Sequence, residues 1–591
     1  MAQPEPVVPL LTGVEDAVRR AIAAVLPEAA GADPLIRPSD HADLQANAAL
    51  SLARIAGRRP AELGGALVAA LDDDLIAEAS LSGPGFVNLV LADAAIWRQV
   101  GARLAAPRLG VPTPEAGRRT VIDYSGPNIA KEMHVGHLRS TLIGDALARV
   151  TEYLGGDVVR QNHLGDWGTQ FGMLIQYLDE HPGAAWHGAQ LAPGTTAVSA
   201  LDRLYRAARA EFDADPAFAD RSRARVVALQ AGDRATTSIW ESIVAESQLA
   251  FAELYGRLGV QLTEADSAGE SFYNPHLADV VAELESRGVA VPSEGALCVF
   301  DPAVTGPEGT PIPLMLRKSD GGYGYDTTDL ATIRYRLRDL KADRILYVVD
   351  ARQALHFRLI FSAARAAGWL GEDVEAVHVQ FGTVLGADGR PFKTRTGDTV
   401  RLAELLDAAV AEARRVVQEK NPGLPDDEAD RIGEQAGIGA VKYAELSTSR
   451  IKDYRFDVER MVQLTGDTGV YLQYAHARIH SILARVAAEF GAVDETVDPA
   501  APLHPAERAL ILALDGFAAT LAEVAATLEP HRLCSYLFAL AKAFSEFFEA
   551  CPVLRAGSQR QRGNRVALCR LTAATLRQGL DVLGIAAPDQ L

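Results

Sequence analysis

A pair of histidines between a strand-like run and a helix-like run carries the clearest chemical signal in the sequence. His134 and His137 lie one helical turn apart, with Gly136 between them and Lys131 just before. The start of a helix offers unpaired N–H groups and a positive dipole end, which favour an anion such as phosphate. Imidazoles donate to phosphate oxygens, glycine leaves room for a flat base, and lysine adds a mobile charge. The pattern predicts a nucleotide-phosphate site, although each histidine by itself is also consistent with a hydrogen-bonded core residue.

The elements around the histidines predict a nucleotide-binding fold. Strands and helices alternate twice along the chain, at 121–124, 134–154 and 158–159, and again at 345–349, 355–367 and 377–381. Each set is a β-α-β crossover, the unit of a parallel sheet with helices on both faces. A mostly helical insertion, about 178–291, separates the two halves. No P-loop and no Gly-x-Gly-x-x-Gly motif competes with the histidine motif.

The rest of the chain predicts two further domains. A Pro/Gly-rich stretch at 107–117 is typical of a linker, and from about 402 onward the sequence is helical. We therefore predict an α/β protein. Its Rossmann-type parallel-sheet catalytic domain occupies 111–400 and includes the helical insertion. A small α/β domain lies at 1–110 and an all-α domain at 401–591.

Composition excludes several classes of protein. The chain has 591 residues, 48% hydrophobic and 23% charged, which is ordinary for a packed globular protein. Its four cysteines are scattered and form no Cys-x-x-Cys pair, so neither a disulfide framework nor a thiolate zinc knuckle is predicted. No run of eighteen apolar residues and no secretion signal is seen, so we expect a cytoplasmic protein without a membrane partner.

The net charge alone is weak evidence for or against a nucleic-acid partner. The net charge of −19 disfavours a nucleic-acid partner, but its distribution is uneven. The stretch 550–580 contains no Asp or Glu and carries a run of arginines at positions 555, 560, 562, 565, 570 and 577. An RNA partner is therefore not excluded.

Several strings resemble one known family. The string PNIAKEMHVGHLRST at 127–141 resembles the HIGH signature of class I aminoacyl-tRNA synthetases. Together with NHLGDWGTQFG at 162–172, it resembles the arginyl-tRNA synthetase family in particular. The N-terminal strings that are similar to this family are DLQAN at 43–47 and GPGFVN at 83–88. The C-terminal ones are GIGAVKYAELS at 437–447 and YLQYAHAR at 471–478. The resemblance covers nearly the whole chain and implies an N-terminal domain that contacts the tRNA elbow and a helical anticodon-binding domain.

The resemblance also implies an activity. It implies ATP-dependent ligation of L-arginine to its cognate tRNA through an arginyl-adenylate, with activation dependent on bound tRNA. ATP and Mg²⁺ would enter as substrates, no protein-bound metal is expected, and the family suggests a monomer. The residues implied in ATP binding and catalysis are Lys131, His134, Gly136, His137, Lys393 and Arg395. The last two lie in a basic loop, 389–397, that departs from the usual Lys-Met-Ser-Lys-Ser signature and would by itself be interpreted as a solvated turn.

Arginine recognition requires carboxylates that accept paired hydrogen bonds from a guanidinium. The positions that match the family's arginine-binding residues are Asp123, Asn128, Tyr325, Asp329 and Gln353. Asp123 and Asp329 would bind the guanidinium, and Asn128 the α-amino and carboxylate end. Asp329 also has a simpler interpretation as the N-cap of a helix at 330–340.

Three residues are implied in tRNA contact: Tyr471, Tyr474 and Arg478. Unpaired bases stack on aromatic rings, but tyrosines at helical spacing also pack in protein cores. Two other functions remain open. Another nucleotidyl transferase of the HIGH superfamily would not need three accessory domains, and a non-catalytic tRNA-binding relative predicts eroded site residues, whereas these are intact.

Overall fold

A computed structural model describes residues 7–184, 186, 196–306, 309–319, 321–386, 389–390 and 400–591. The predicted loop residues Lys393 and Arg395 lie outside the described residues. The helices are α1 Leu10–Val25, α2 Ala48–Ala56, α3 Pro60–Ala70, α4 Asp93–Ala105, α5 Val135–Tyr153, α6 Thr169–Glu180, α7 Ala197–Ala214, α8 Pro216–Gln230, α9 Arg234–Leu258, α10 Glu270–Tyr273, α11 Leu277–Ser286, α12 Tyr325–Arg338, α13 Ala354–Ala366, α14 Leu402–Lys420, α15 Asp426–Ser447, α16 Val458–Met461, α17 Gly469–Phe490, α18 Pro505–Asp515, α19 Phe517–Thr527, α20 His531–Ala550 and α21 Gln559–Val582. The strands are β1 Ile36–Pro38, β2 Leu44–Ala46, β3 Ile76–Ser82, β4 Phe86–Leu91, β5 Arg119–Asp123, β6 Asp157–Gln161, β7 Val291–Ser293, β8 Ala296–Thr305, β9 Pro311–Arg317, β10 Arg344–Tyr347, β11 Glu375–His378, β12 Val384–Leu385 and β13 Tyr454–Arg455.

The central sheet has the predicted parallel topology. Its strand order is β11-β10-β5-β6, and each neighbouring pair is parallel. From Thr120 to Asp123 every β5 residue is buried, as expected for a strand covered by helices on both faces. Gly144 lets α5 cross this strand closely, because a Cβ there would lie 2.3 Å from the Tyr124 side chain. The predicted α/β class is confirmed.

The N-terminal segment forms a separate antiparallel sheet. Its strand order is β1-β2-β4-β3, and β4 has the bounds that the sequence pattern predicts. The β3–β4 turn contains Gly83 and Gly85, both at positive φ, the region that favours glycine. A Cβ at Gly85 would lie 2.8 Å from the Pro60 carbonyl oxygen, so glycine also permits the close approach of α3.

The second half of the central domain differs from the sequence prediction in two respects. Strands β7-β8-β9 form an antiparallel sheet after the helical insertion, and the sequence analysis did not predict it. Helix α12 begins at Tyr325, with Gly324 at the N-cap position. The interpretation of Asp329 as an N-cap is therefore wrong: Asp329 lies one turn inside the helix, because the polar run 326–329 has no apolar spacing that could mark the true start at 325.

The C-terminal part is helical, as predicted. Within the described residues, the segment Pro505–Thr527 is long and apolar enough, by length and composition alone, to cross a membrane, and half of its most apolar stretch is buried. It consists of two helices, α18 and α19, with Gly516 between them. Tyr536 of α20 stacks on Phe517 with ring centroids 5.9 Å apart, and its hydroxyl donates to the Ala513 carbonyl oxygen at 3.1 Å. The two helices thus pack inside the helical part of the protein.

Candidate active site

The two signature histidines cap the first turn of α5. His134 is the N-cap, and its Nδ1 accepts a hydrogen bond from the Gly136 N–H at 3.0 Å. The Nδ1 of His137 accepts from the His134 N–H at 3.1 Å. Because both Nδ1 atoms are acceptors, each neutral ring carries its proton on Nε2. Each imidazole thus has an N–H donor available for an anionic ligand at the helix N-terminus.

Both imidazoles are neutral near pH 7. Burial lowers the pKa of His134, and the Lys131 ammonium lowers it further. Burial lowers the pKa of His137 to about 3, with His134 acting in the same direction. The ring centroids are 4.0 Å apart. Gly136 allows this arrangement, because a Cβ at that position would lie 2.8 Å from the His134 ring.

Lys131 lies against the helical insertion. Its Nζ is 4.7 Å from the centroid of the Tyr205 ring on α7, a cation–π distance. Glu132, the next residue, accepts a hydrogen bond from Ser199 of the same helix and lies 3.5 Å from the Arg401 Nε. Helix α7 therefore covers the lysine that the sequence analysis predicted to bind ATP.

The loop between β5 and α5 is held in an unusual backbone conformation. Ser125 and Ala130 both have positive φ, at 73° and 63°, which is costly for residues with a Cβ. Insertion helix α9 supports the two positions: Tyr255 Oη lies 2.7 Å from Ser125 Oγ, and Ser247 Oγ accepts from the Ala130 N–H at 3.0 Å. Strain that is supported in this way is typical of a functional site.

The described chain on the C-terminal side of the basic loop lies beside the signature histidines. After the loop, the Leu402 N–H donates to the Met133 carbonyl oxygen at 2.9 Å, and Arg401 pairs with His134 in an antiparallel bridge. Before the loop, β12 pairs with β13. The chain that follows Lys393 and Arg395 thus returns beside the histidines, although those two residues lie outside the described part of the chain.

Two of the predicted arginine-binding residues lie on α12. The ring of Tyr325 is exposed, with its centroid 5.3 Å from that of His356. The Asp329 Oδ2 lies 2.6 Å from His356 Nε2, and the Asp326 Oδ1 lies 3.4 Å from His356 Nδ1. Burial lowers the pKa of His356, but its hydrogen bonds to the two carboxylates outweigh burial and raise it to about 9. His356 is therefore protonated near pH 7 and lies between Asp326 and Asp329.

Asp123 also has a cationic partner inside the protein. Its Oδ2 accepts from the Arg336 Nη2 at 2.9 Å, and the Arg336 side chain is fully buried. The guanidinium lies 4.8 Å from the centroid of the Tyr347 ring. Burial opposes the charged form of Arg336, but Asp123, Tyr347 and Tyr273 together outweigh burial and raise the pKa of Arg336, so the guanidinium is charged. One carboxylate oxygen of Asp123 is therefore bound to Arg336, a residue that the sequence analysis did not identify.

The other two predicted arginine-binding residues lie in loops near these elements. Asn128 is exposed and forms a parallel bridge with Gly165, part of the second motif string. A Cβ at Gly165 would lie 2.4 Å from the Asn128 Oδ1, so glycine is needed there. Gln353 is exposed in the short 3₁₀ turn Ala351–Gln353 that leads into α13, the helix of His356. The structure records no direct contact of Gln353 with Asp123 or Asp329 among the described residues.

A cleft of about 660 Å³ opens beside Tyr325 and contains a carboxylate that the sequence analysis missed. Glu270, at the start of α10, lines this cleft together with Trp167 and Asp326. Burial raises the pKa of the Glu270 carboxyl to about 7, and the Asp166 and Asp329 carboxylates act in the same direction against His163. No local pattern marks Glu270, because these neighbours come from two distant segments, 163–167 and 326–329.

The predicted tRNA contacts differ in their surroundings. Tyr471 packs against Phe538 with ring centroids 5.6 Å apart, whereas Tyr474 is 41% exposed. The Arg478 guanidinium lies 4.3 Å from the centroid of the Phe548 ring. Most of the arginines in the acid-free stretch have partners in the helical part of the protein. These contacts are Arg560 with Asp498, Arg562 with the Phe490 ring, Arg565 with Glu507, Arg570 with Glu495 and Arg577 with Asp589.

Comparison with known proteins identifies the family. Residues 99–458 match the family model described as tRNA synthetases class I (R), catalytic domain. Residues 12–91 match the arginyl tRNA synthetase N terminal domain, and residues 472–591 match the DALR anticodon binding domain. The chain belongs to the arginyl-tRNA synthetase family. It is therefore an enzyme, a class I aminoacyl-tRNA synthetase whose family charges tRNA with arginine.

Relatives of this synthetase match it over nearly its full length. An arginine–tRNA ligase of Frankia casuarinae is 67% identical over 98% of the chain and 99% of the relative, and one of Streptomyces avermitilis is 51% identical over the same shares. The arginyl-tRNA synthetase of Thermus thermophilus has a TM-score of 0.79 at 27% identity, covering 98% of this chain and 99% of that one. That of Plasmodium falciparum has a TM-score of 0.81 at 26% identity, covering 99% and 100%. These matches favour the synthetase over both alternative functions.

Proposed function

We propose that the chain activates L-arginine with ATP and transfers it to its cognate tRNA at the site around His134. The arginine carboxylate attacks the α-phosphorus of ATP, which gives arginyl-adenylate and pyrophosphate. The tRNA terminal ribose hydroxyl then attacks the arginyl carbonyl carbon, forms the ester and releases AMP. The observation that supports this most directly is that both signature histidines accept backbone N–H groups at Nδ1. Two neutral Nε2–H donors then remain for phosphate oxygens at a helix N-terminus.

No side-chain nucleophile is needed, so the protein acts by positioning and by stabilising phosphate charge. Lys131, and Lys393 and Arg395 of the basic loop, supply positive charge as the pentacoordinate phosphorus forms. Gly136 leaves space beside the His134 ring. Magnesium enters with ATP as part of the substrate.

The arginine side chain enters the cleft beside Tyr325. Asp329 and Asp123 each keep one carboxylate oxygen that is not bound to His356 or Arg336. Glu270 adds a third carboxylate, which is ionised when a cation is bound. Asn128 holds the α-amino and carboxylate end, and Gln353 adds an amide. Lysine is rejected because its compact ammonium lacks the planar fork of five donors that reaches carboxylates in separate places.

The remaining assignments are also part of the proposal. We assign tRNA contact to 1–110, catalysis to 111–400 and anticodon binding to 401–591, with Tyr474 and Arg478 preferred over Tyr471 because Tyr471 packs on Phe538. We expect a cytoplasmic monomer that has no membrane partner and requires tRNA for activation.

Arginine-dependent exchange of pyrophosphate into ATP tests this proposal. His134→Asn keeps a side chain suited to the N-cap but removes the imidazole donor. We expect exchange to fall by about 10²–10³-fold, as when one preorganised donor to a developing charge is lost. Exposed His181 provides the matched control, His181→Asn, which should retain the wild-type rate.

The same assay, run with and without tRNA and with lysine as substrate, tests specificity and coupling. Exchange with arginine only in the presence of tRNA supports both. Exchange with arginine in the absence of tRNA would still support the synthetase activity, but it would refute the requirement for tRNA in activation. Wild-type exchange in His134→Asn would refute the assigned role of His134.

A further inference from the structure

The segment 586–589 lies along one face of α17. Gln473 Nε2 donates to the Ala586 carbonyl oxygen at 2.9 Å, and His476 Nδ1 lies 2.8 Å from the Pro588 carbonyl oxygen. His480 Nε2 lies 3.5 Å from the Asp589 Oδ1. Positions 473, 476 and 480 are three and four residues apart, which places them on one side of a helix. This face brings two imidazoles and a carboxylate together.

His476 has a nitrogen without a partner. The side chain is fully buried, and within the described residues its Nε2 makes no hydrogen bond. Its Nδ1 donates to the Pro588 carbonyl, which fixes the tautomer and leaves a lone pair on Nε2. A metal-binding histidine has the same arrangement: its second nitrogen donates to a backbone carbonyl, which leaves the first free for the metal.

We propose that His476, His480 and Asp589 form a binding site for Zn²⁺ or a similar divalent transition metal. One ligand atom from each residue lies within 4.8 Å of the other two. Ligands of tetrahedral zinc lie roughly 3.4 Å apart, and the His480–Asp589 distance is already 3.5 Å. His480 and Asp589 are partly exposed, at 34% and 59%, so modest side-chain rotation closes the site around an ion. Water takes the fourth position.

Arg577 of α21 sets the affinity of this site. Its guanidinium donates to the Oδ1 of Asp589. This is the oxygen that lies near His480, and it keeps a second lone pair for the metal, so the Arg577 hydrogen bond does not block the site. The positive charge of Arg577 also opposes a cation nearby. Replacing Arg577 by a neutral residue therefore strengthens metal binding.

Metal binding at this site fastens the segment 586–589 to α17. The same helix carries Tyr474 and Arg478, which the proposed function assigns to tRNA contact. The site differs from the sequence-based expectation that no metal is bound by the protein. The metal-binding proposal does not depend on the proposed function, because it concerns residues outside the catalytic cleft.

Cobalt titration of the chelator-treated full-length protein tests the site. We expect one equivalent of Co²⁺ to bind with the visible absorption of a four- or five-coordinate ion, and Zn²⁺ to displace it. His480→Ala and Asp589→Ala should each weaken binding at least about tenfold, since even loss of an outer partner costs that much. Arg577→Gln should strengthen it. Exposed His181 lies elsewhere, and His181→Ala should leave the titration unchanged.

Thermal melting provides a second readout, because a ligand that binds only the folded protein raises the melting temperature. Zn²⁺ should raise it in the wild type and in His181→Ala, and not in His480→Ala or Asp589→Ala. Identical cobalt titrations in the wild type and these last two variants would overturn the proposal. So would the absence of visible bands up to about 1 mM Co²⁺ in the wild type.

Discussion

At the scale of single residues, both carboxylates predicted to bind arginine already have a positively charged side chain as partner. Asp329 pairs with protonated His356, and Asp123 pairs with buried Arg336. Removing either cation would leave a carboxylate charge without its partner at a largely buried position. Glu270 lines the cleft, burial raises its pKa to about 7, and we expect its charge to respond to a cation bound there.

Arginine binding should depend on pH through Glu270. Its raised pKa means that the carboxyl is partly protonated near pH 7, and a bound guanidinium favours the ionised form. We expect the KM for arginine to rise as the pH falls from 8 to 6. His356, with a pKa of about 9, stays protonated over this range. Aminoacylation assays across the range measure the effect.

Glu270→Gln identifies the source of that dependence. The amide keeps the size of the side chain but removes the charge, so the KM for arginine at pH 8 should rise about ten- to hundredfold, as for loss of a charged hydrogen bond. The pH dependence of KM should also flatten. Glu253→Gln, an exposed change on α9, serves as the control. An unchanged pH profile in Glu270→Gln would contradict the assignment.

At the scale of elements, the insertion supports the signature loop. Helix α9 supports the positive-φ residues Ser125 and Ala130, and α7 places the Tyr205 ring against Lys131. The loop conformation is costly on its own, so it persists only where neighbouring elements compensate. The helical insertion therefore contributes side chains that support the signature loop.

Tyr205 should act as a positioning residue for Lys131. In Tyr205→Leu the aromatic face is lost, and a partly exposed cation–π contact is worth about 0.5–1 kcal/mol. We expect pyrophosphate exchange to slow about two- to fivefold, with a larger effect on kcat than on the KM for arginine. Tyr205→Phe keeps the ring face and should exchange at the wild-type rate. Equal losses in both variants would indicate a hydroxyl role instead.

At the scale of the whole molecule, buried ion pairs join parts that are distant in sequence. Arg103 of α4 donates to Asp515 of α18 at 2.6 Å, with the two side chains 3% and 6% exposed. Gln99 donates to the same carboxylate oxygen at 2.8 Å. These contacts hold α4 against α18 and so fix the N-terminal part relative to the helical part.

Asp515→Ala should destabilise the protein by about 3–5 kcal/mol, because it leaves the Arg103 charge buried without a partner. The midpoint of urea unfolding should fall accordingly. The double variant Arg103→Met/Asp515→Leu should recover most of the loss, since an apolar pair replaces a buried ion pair at little cost. Asp213→Ala removes an exposed pair with Arg209 and should change stability by less than about 1 kcal/mol. No recovery in the double variant would contradict this explanation.

Local sequence determined the signature site and the frame that holds it. Strand and helix periods depend on neighbouring residues, and the string from Pro127 to Thr141 combines a strand end, a loop and a helix start in fifteen consecutive positions. The parallel sheet, β4, α5 and the family could therefore be predicted without coordinates. The prediction of Asp329 as an N-cap was wrong because the sequence marks the first residue of a helix less clearly than it marks the helical spacing of apolar residues.

Only the tertiary structure decided which groups surround the predicted residues. Arg336 lies 213 positions from Asp123, His356 lies 27 from Asp329, and the buried imidazole of His476 lies 112 from Pro588. Burial and hydrogen-bond partners depend on how distant segments pack. The periodic pattern of a local sequence does not specify this packing. The charge state of Glu270, the cover over Lys131 and the His476–His480–Asp589 cluster all depend on packing of this kind.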